Sequence, residues 1–463
     1  MAGIASIPER GASLERTLES IAPQVDEVHL SLNDYTEPPA FLDRFPNVRA
    51  TLRAMNGGDA EKFAAVDGWD GYIVALDDDI LYPADYVETL LAGIARHGSD
   101  KIVSFHGGKT LGFNGAALAA THKQLRCLGD LAEDDTDVNV VGTGVLAYDA
   151  RRVPIWRDLF RTPNMADVHL ACHAHRLGIP MVVLAHEKGW LQNICPDEGR
   201  CIYDSNRRGD GTRCDTRKNR EHEMSLIDWT AAPARPRVRV SIATCNRPGL
   251  LLELLHDLDR EAGWIDVEVA VYEDPTSSDY SAAREFCRQR QWTWHRFDQR
   301  LGVRDHYKLV SRELRDTRRS KADFFLFLPD DVRLHRHAIA RALDTWHRLD
   351  DPATLTLWRL RSVEGQTNWT GKHAVQHTHA SEIFHVDGLY LCQRPTLELL
   401  GYGLADPRPT PGRSSGVGRR ISIVLDRAGA RMYRVDKSLV TVNDRGRSVM
   451  NPAERRKHPA VAL

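Results

Sequence analysis

The feature that most constrains this fold is an apolar run ended by acids, and it occurs twice. Tyr72-Ile73-Val74-Ala75-Leu76 closes on Asp77-Asp78-Asp79, and Phe324-Phe325-Leu326-Phe327-Leu328 closes on Pro329-Asp330-Asp331. An unbroken apolar run this short reads as a strand buried on both faces, the kind found in parallel sheets. Open α/β sheets bind ligands at the carboxyl edge of such strands, where these acids fall. Clustered carboxylates repel unless positive charge separates them. A hard divalent cation carrying a diphosphate is the economical partner. One such motif alone reads as well as a solvated acidic turn; the repetition speaks against that.

With Leu76 set against Leu328, the neighbourhoods fall into step. Ala5-Ser6-Ile7-Pro8-Glu9-Arg10-Gly11 faces Ala243-Thr244-Cys245-Asn246-Arg247-Pro248-Gly249. Each joins a short apolar stretch to a Leu-rich helical pattern through a polar loop. Val28 to Asp34 faces Val267 to Asp274, alternating strands that end in polar pairs. Asp59-x-x-Lys62 faces Asp305-x-x-Lys308, and Arg176-Leu177-Gly178 faces Arg427-Ala428-Gly429. Self-similarity at this long period predicts two homologous domains rather than a solenoid.

The bulk properties agree. A chain of 463 residues is long enough for two or three domains, and 42% apolar with 27% charged residues lets each half bury a core. A net charge of −2 argues against bulk nucleic-acid affinity. No apolar stretch reaches membrane-spanning length, and no signal peptide is legible at Met1. The 8 scattered cysteines suit a reducing cytoplasm better than a disulfide framework. Residues 195–237 lose apolar periodicity and read as a lid and a Pro-rich linker between a domain at 1–194 and another at 238–463. A zinc knot from Cys195, Cys201, Cys214 and His222 would lack a paired C-x-x-C, so ordinary thiols are the simpler reading.

Strand, polar turn, helix, strand ending in an acid, then apolar strand ending in Asp-x-Asp: this order resembles the GT-A glycosyltransferases. Residues 3–190 are similar to bacterial and phage members related to the inverting family 2 group. The likeness runs through Ala5-Ser6-Ile7-Pro8, Ala75 to Pro83, Gly142-Thr143-Gly144 and Pro163-Asn164-Met165-Ala166-Asp167. Residues 238–442 resemble the same fold more loosely. The resemblance implies two tandem α/β domains, each a Rossmann-like, mostly parallel sheet.

It also implies roles. The donor would be a nucleotide sugar, a UDP-sugar first among them, and the acceptor a hydroxyl on a glycan, a protein or a hydroxymethylated DNA base. Asn33, Asp34 and the loop Ser6, Pro8 to Arg10 would meet the base. Asp77, with Asp78 beside it, would approach ribose or sugar hydroxyls, and Lys62 the phosphate. Asp79 would hold Mn²⁺ or Mg²⁺, with His186 as second protein ligand or a structural histidine. Asp167 would be the base that takes the acceptor proton, or else an N-cap aspartate.

The internal alignment is most useful where it fails. Asp77 meets Pro329, Asp167 meets Gly418, and His186 meets Lys437. The second half keeps Thr244, Asn246, Glu273, Asp274, Lys308, Asp330 and Asp331 as donor- or metal-facing candidates, with Lys437 placed to neutralise phosphate without a metal. It is a second transferase with other machinery or a degenerate copy. A sugar nucleotidyltransferase would open on a Gly-rich phosphate loop, which Ala5 to Gly11 is not. A Rossmann dehydrogenase would need G-x-G-x-x-G after the first strand. The non-enzyme alternative is a carbohydrate- or nucleotide-binding module with two decayed sites.

Overall fold

The computed structural model describes residues 1–110, 122–126, 129–195, 216–358, 375–376, 380–386, 388–404 and 417–442. The chain divides into two compact units, Met1–Arg235 and Pro236–Leu463.

Unit one is built on an 8-stranded sheet. From edge to edge its strands are Val48–Arg53, Val28–Asn33, Ala2–Ser6, Tyr72–Leu76, Val145–Asp149, Ile102–Ser104, Met181–Val183 and Thr136–Val138. The first four run parallel. Val145–Asp149 is antiparallel to both its neighbours, and Thr136–Val138 to its single neighbour. Unit two repeats the plan in 9 strands: Thr293–Arg296, Asp266–Glu273, Arg237–Thr244, Phe324–Pro329, Tyr390–Cys392, Pro352–Thr356, Arg431–Val435, Ala380–Ile383 and Val375–Gln376. Its first four are again parallel, and Tyr390–Cys392 again reverses direction between parallel strands. The two mostly parallel α/β sheets expected from the sequence are therefore present, in matching order.

Local sequence explains the central elements. Ile73 to Leu76 and Phe324 to Leu328 are buried throughout, as a strand covered on both faces must be. The helix Gly11–Ile21 buries Leu14, Leu18 and Ile21, one stripe at helical spacing. The helix Ala166–Leu177 stops at Gly178, whose φ of 61° lets its N–H reach back to Ala174 and His175. Gly429 ends Val417–Arg427 in the same way, with φ of 69°.

Strand order also locates a crevice. In unit one the chain moves outward from Ala2–Ser6 through two strands, then returns to place Tyr72–Leu76 on the other side of the first. The carboxyl ends of those two strands flank the topological switch point, where ligands enter such sheets. Ile4 pairs with Leu76, and in unit two Ile242 pairs with Leu328, so the acid runs leave both sheets at the same place.

One sequence expectation needs revision. Residues 216–235 are not a detached linker. The helix Thr216–Ser225 and the turn after it place Met224, Ile227 and Trp229 against Met165, Val168, Ala171 and Cys172 of unit one. The earlier part of the expected lid, 196–215, lies outside the described residues, with Cys201 and Cys214. No helix among the described residues is long and apolar enough to cross a membrane.

Candidate functional site

At the switch point of unit one, Arg10 reaches over from the loop after the first strand. Its Nη1 lies 2.7 Å from Asp78 Oδ1 and 3.1 Å from Asp79 Oδ2. Pro8 starts the 3-10 turn that carries Arg10, and the Tyr35 hydroxyl donates to the Ile7 carbonyl at 3.0 Å, which holds that turn down. Ser6 is buried beside Asp78 and favours its charged form, against a larger effect of burial. Asp79 is pushed up to about 6 by burial first and then by Asp77, with Arg10 opposing. The Ile194 N–H donates to the Asp79 carbonyl at 2.8 Å, so the strand Gln192–Asn193 closes one side of the acid turn.

Lys62 is the buried cation of the site. The turn Gly58–Phe63 lies directly on the first strand: a Cβ at Gly3 would come within 2.0 Å of the Lys62 carbonyl oxygen. From there Lys62, its side chain 2% exposed, pairs with Asp77. Burial works against the Lys62 charge, and Asp77, Asp59 and Asp167 restore it, so its affinity for the proton rises.

Asp77 and Asp167 lie against consecutive residues, Gly144 and Thr143. A Cβ at Gly144 would fall 1.9 Å from Asp77 Oδ2, so that carboxylate lies over Gly144. The Thr143 N–H and hydroxyl donate to Asp167 Oδ1 at 2.9 and 2.7 Å. Asp167 is thus not a cap. The N-cap residue of Ala166–Leu177 is Met165, and Asp167 stands in the first turn with its carboxylate turned to Thr143. His106 packs its ring against Gly142 and is lowered by burial, with Asp167 and Asp77 opposing. Asp59 is pushed up to about 6, by burial first, with Asp167 and Asp77 adding to it and Lys62 opposing.

Other expected residues sit apart from this cluster. Asn33 is buried and donates to the Gly58 carbonyl at 3.3 Å, while its Oδ1 has no hydrogen-bond partner. Asp34 is exposed, with φ of 60°, and accepts from Asn56 Nδ2 at 2.5 Å. His186 gives its Nε2 to the Phe105 carbonyl at 2.9 Å, a bond that suits a structural histidine. No group of three or more His, Cys, Asp or Glu among the described residues is arranged to hold a metal ion. A hard cation such as Mg²⁺ commonly takes several of its oxygens from its ligand and water. The charge balance allows it: Asp59, Asp77, Asp78, Asp79 and Asp167 outnumber Arg10 and Lys62.

Unit two repeats the clamp from a different residue. Arg247 Nη1 lies 2.9 Å from Asp330 Oδ1 and 2.7 Å from Asp331 Oδ2. In the internal alignment Arg247 faces Glu9, not Arg10, so the two arginines reach equivalent acids from neighbouring positions. The Thr244 hydroxyl donates to Asp330 Oδ2 at 2.7 Å and shares a 3.0 Å bond with Tyr280. Burial raises Asp330 to about 6.

Beyond the clamp, the retained residues of unit two do other work. Glu273 is buried and engaged by Arg284 at 2.6 Å, Trp294 at 2.9 Å and Arg296 at 3.2 Å. Asp274 accepts the Leu301 and Gly302 N–H groups at 2.7 and 3.0 Å, which anchors the start of the helix Gly302–Asp316. Asn246 has φ of 60° and accepts from the Ser278 hydroxyl. Lys308 is half exposed and pairs with its own helix neighbour Asp305 at 3.3 Å, not with the acid turn. Lys437 is exposed in the turn after Arg431–Val435. Gly418 stands where Asp167 would be, and the neighbouring loop is held instead by Ser422, whose Oγ accepts the Val386 N–H at 2.8 Å.

Sequence reasoning missed Asp59, His106 and Thr143 as members of the unit-one cluster. Asp59 had a signal in the repeated Asp-x-x-Lys spacing, and Thr143 in the Gly-Thr-Gly run. His106 had none.

No family model and no curated protein matches this sequence. Among solved structures, S. aureus TarS 1-349 matches at 14% identity over 45% of this chain and 60% of that one, with a TM-score of 0.33. The same protein in complex with UDP-GlcNAc matches at 13% over 45% and 59%, TM-score 0.34. The mannosyltransferase PcManGT from Pyrobaculum calidifontis, in complex with GDP-Man and Mn2+, matches at 18% over 44% and 55%, TM-score 0.31. The chain thus spans less than two thirds of each. What the two units do has to be read from their own residues.

Proposed function

We propose that unit one transfers a sugar from a nucleotide-sugar donor to a hydroxyl acceptor. The observation that carries this reading is the placement of Asp77 and Asp167 on consecutive residues, Gly144 and Thr143, at the carboxyl edge of the sheet. One carboxylate beside the acid turn and a second an adjacent residue away is an arrangement for holding a donor and deprotonating its acceptor.

The residues divide the work. Asp167 takes the acceptor proton as the hydroxyl attacks; Thr143 binds one of its oxygens, which leaves the other to face the acceptor. Lys62 fixes Asp77 for contact with donor hydroxyls and lies near enough to both acids to offset their repulsion. Asn33 offers its unpaired Oδ1 to a donor N–H, as on a nucleobase edge. Asp79 is the oxygen donor that would hold Mn²⁺ or Mg²⁺, whose chemistry is to stabilise charge on a leaving nucleoside diphosphate. The proposed inverting outcome follows from a single base facing a single in-line displacement. The surplus of clustered carboxylates over cations favours this over a decayed binding module, since such a cluster is costly to keep without a cation or substrate to offset it.

The test is release of nucleoside diphosphate from a panel of UDP- and GDP-sugars with Mn²⁺. Asp167→Asn should lower kcat by roughly 10²–10⁴ while leaving donor affinity within about twofold. Wild-type turnover that survives Asp167→Asn would remove the base assignment.

A further inference from the structure

The turn that carries Lys62 is tied to the turn that launches the Asp167 helix, and the tie runs through Asp59. The Ala166 N–H donates to Asp59 Oδ2 at 3.3 Å. In return the Asp59 N–H donates to Asn164 Oδ1, also at 3.3 Å. Ala166 is the first residue of the helix, so its N–H is one of the groups that the helix cannot satisfy itself. Met165, at the N-cap, supplies no side-chain bond. Asp59 does the capping from 107 residues away in sequence.

The turns fit closely. Gly58 has φ of 66°, and a Cβ there would lie 2.5 Å from Asn164 Oδ1 and 2.9 Å from the Asn164 nitrogen. Asn164 is itself at φ of 59°. Two left-handed residues in contact, one of them not glycine, mark a junction built for position rather than for ease of folding. Asn33 holds the same turn from the sheet side through the Gly58 carbonyl. Asp59 Oδ1 is buried with no hydrogen-bond partner, while Lys62 and Asp167 both act on the carboxylate.

Unit two supplies the control. Its aligned aspartate, Asp305, is half-buried and pairs with Lys308 on the same helix. Its aligned helix has Gly418 in place of the base. The junction is present in the unit that carries Asp167; at the aligned aspartate of the other unit, the described contact is the pair with Lys308.

We infer that Asp59 is a positioning residue: it caps the base-bearing helix and fixes Asp167 relative to Lys62 and Asp77. The inference rests on the glycosyl-transfer reading of Asp167. Asp59 acts through that helix and through Lys62, not on the substrate.

The experiment compares Asp59→Ala and Asp59→Asn in the full chain by two readouts. The first is amide hydrogen exchange across residues 163–170. Asp59→Ala should lose protection at Ala166 by about tenfold or more, while Asp59→Asn keeps an acceptor oxygen and should restore it. The second is nucleoside diphosphate release with whichever UDP- or GDP-sugar the wild type accepts. Asp59→Ala should lower kcat by about tenfold or more with KM within twofold, because a displaced base loses alignment and not donor contacts. Asp59→Asn should recover most of that loss. Unchanged protection at Ala166 in Asp59→Ala overturns the inference, as does a rise in KM at constant kcat, which would make Asp59 a donor-binding group. If the wild type turns over no sugar nucleotide, the functional reading fails by itself, and the exchange data still decide whether Asp59 anchors the helix.

Discussion

Lys62 and Lys308 occupy matching places in a repeated Asp-x-x-Lys spacing and have parted completely. The Lys62 side chain is 2% exposed and bound to Asp77. Lys308 is 50% exposed and bound to the neighbour three residues before it on its own helix. The cause is visible in the first strand of each sheet. Gly3 lets the turn Gly58–Phe63 sit on the backbone, whereas Ser241 stands at that register in unit two, and the segment there is the long helix Gly302–Asp316. Once the lysine leaves, an acid at the Asp77 position would lack its partner, and Pro329 stands there instead. The arginine clamp survives in both units, because it needs only the strand ends and one loop. What the two units share is the scaffold and the clamp; what differs is the buried charge around it.

That contrast is open to direct attack. Removing Lys62 should do the most damage. Lys62→Met leaves Asp59 and Asp77 without their cation and should destabilise unit one by about 2–3 kcal/mol, the low side for a broken buried pair because Asp77 reaches solvent. Lys308→Met should change stability by less than about 0.5 kcal/mol. Denaturant melts of the two variants compare them, and equal losses would break the distinction.

A smaller effect is expected at the paired glycines. Gly144→Ala drives a Cβ into Asp77 and should cut donor turnover about tenfold, through a shifted carboxylate. In the antiparallel register Gly388 falls at the matching position, and a Cβ there meets no described residue within 4 Å. Gly388→Ala should leave turnover and melting unchanged. Steady-state kinetics on both variants would show whether the site is confined to one unit.

The smallest expected effect concerns pH. Burial pushes Glu313, on the helix that replaces the Lys62 turn, up to about 8. An acid raised in the folded state favours folding fully below its ordinary range near 4.5, and that contribution is lost as pH rises through about 8. The melting temperature of unit two should therefore fall between pH 5 and pH 9, and Glu313→Gln should flatten the fall by about 2–4 °C. Glu261, raised to about 7 by burial, titrates in the same direction, so some slope should persist. A Glu313→Gln profile identical to wild type would show that this glutamate ionises freely.

Much of the architecture was legible in the sequence because buried parallel strands announce themselves as unbroken apolar runs, and Tyr72 to Leu76 and Phe324 to Leu328 did so. The helix end at Gly178 and its counterpart at Gly429 were equally plain. The candidate site was legible only where acids end a strand, as for Asp77 to Asp79 and Asp330 to Asp331, which meet the arginines Arg10 and Arg247. Glu273 and Asp274 could not be placed from sequence, since a strand-end acid can as well pair with Arg284 and Arg296 or anchor a helix, as these do. Thr216 to Trp229 lacked strong periodicity, yet three apolar side chains suffice to dock the segment on a helix. His106 depends on contacts between residues far apart in sequence, which no local pattern encodes, and the Asp-x-x-Lys spacing flagged Asp59 without its contact to Ala166. The arginine clamp was hidden for another reason: its two arginines are offset by one position in the alignment.

The central claim is that chemistry belongs to unit one although both units keep the acid pair. The most direct measurement is Mn²⁺-dependent nucleoside diphosphate release by the full chain carrying Asp79→Asn or Asp331→Asn, each checked for an unchanged fold. The account predicts a loss of about 10²-fold or more for Asp79→Asn and wild-type rates, within twofold, for Asp331→Asn. Comparable losses in both variants, or a loss only in Asp331→Asn, would contradict it.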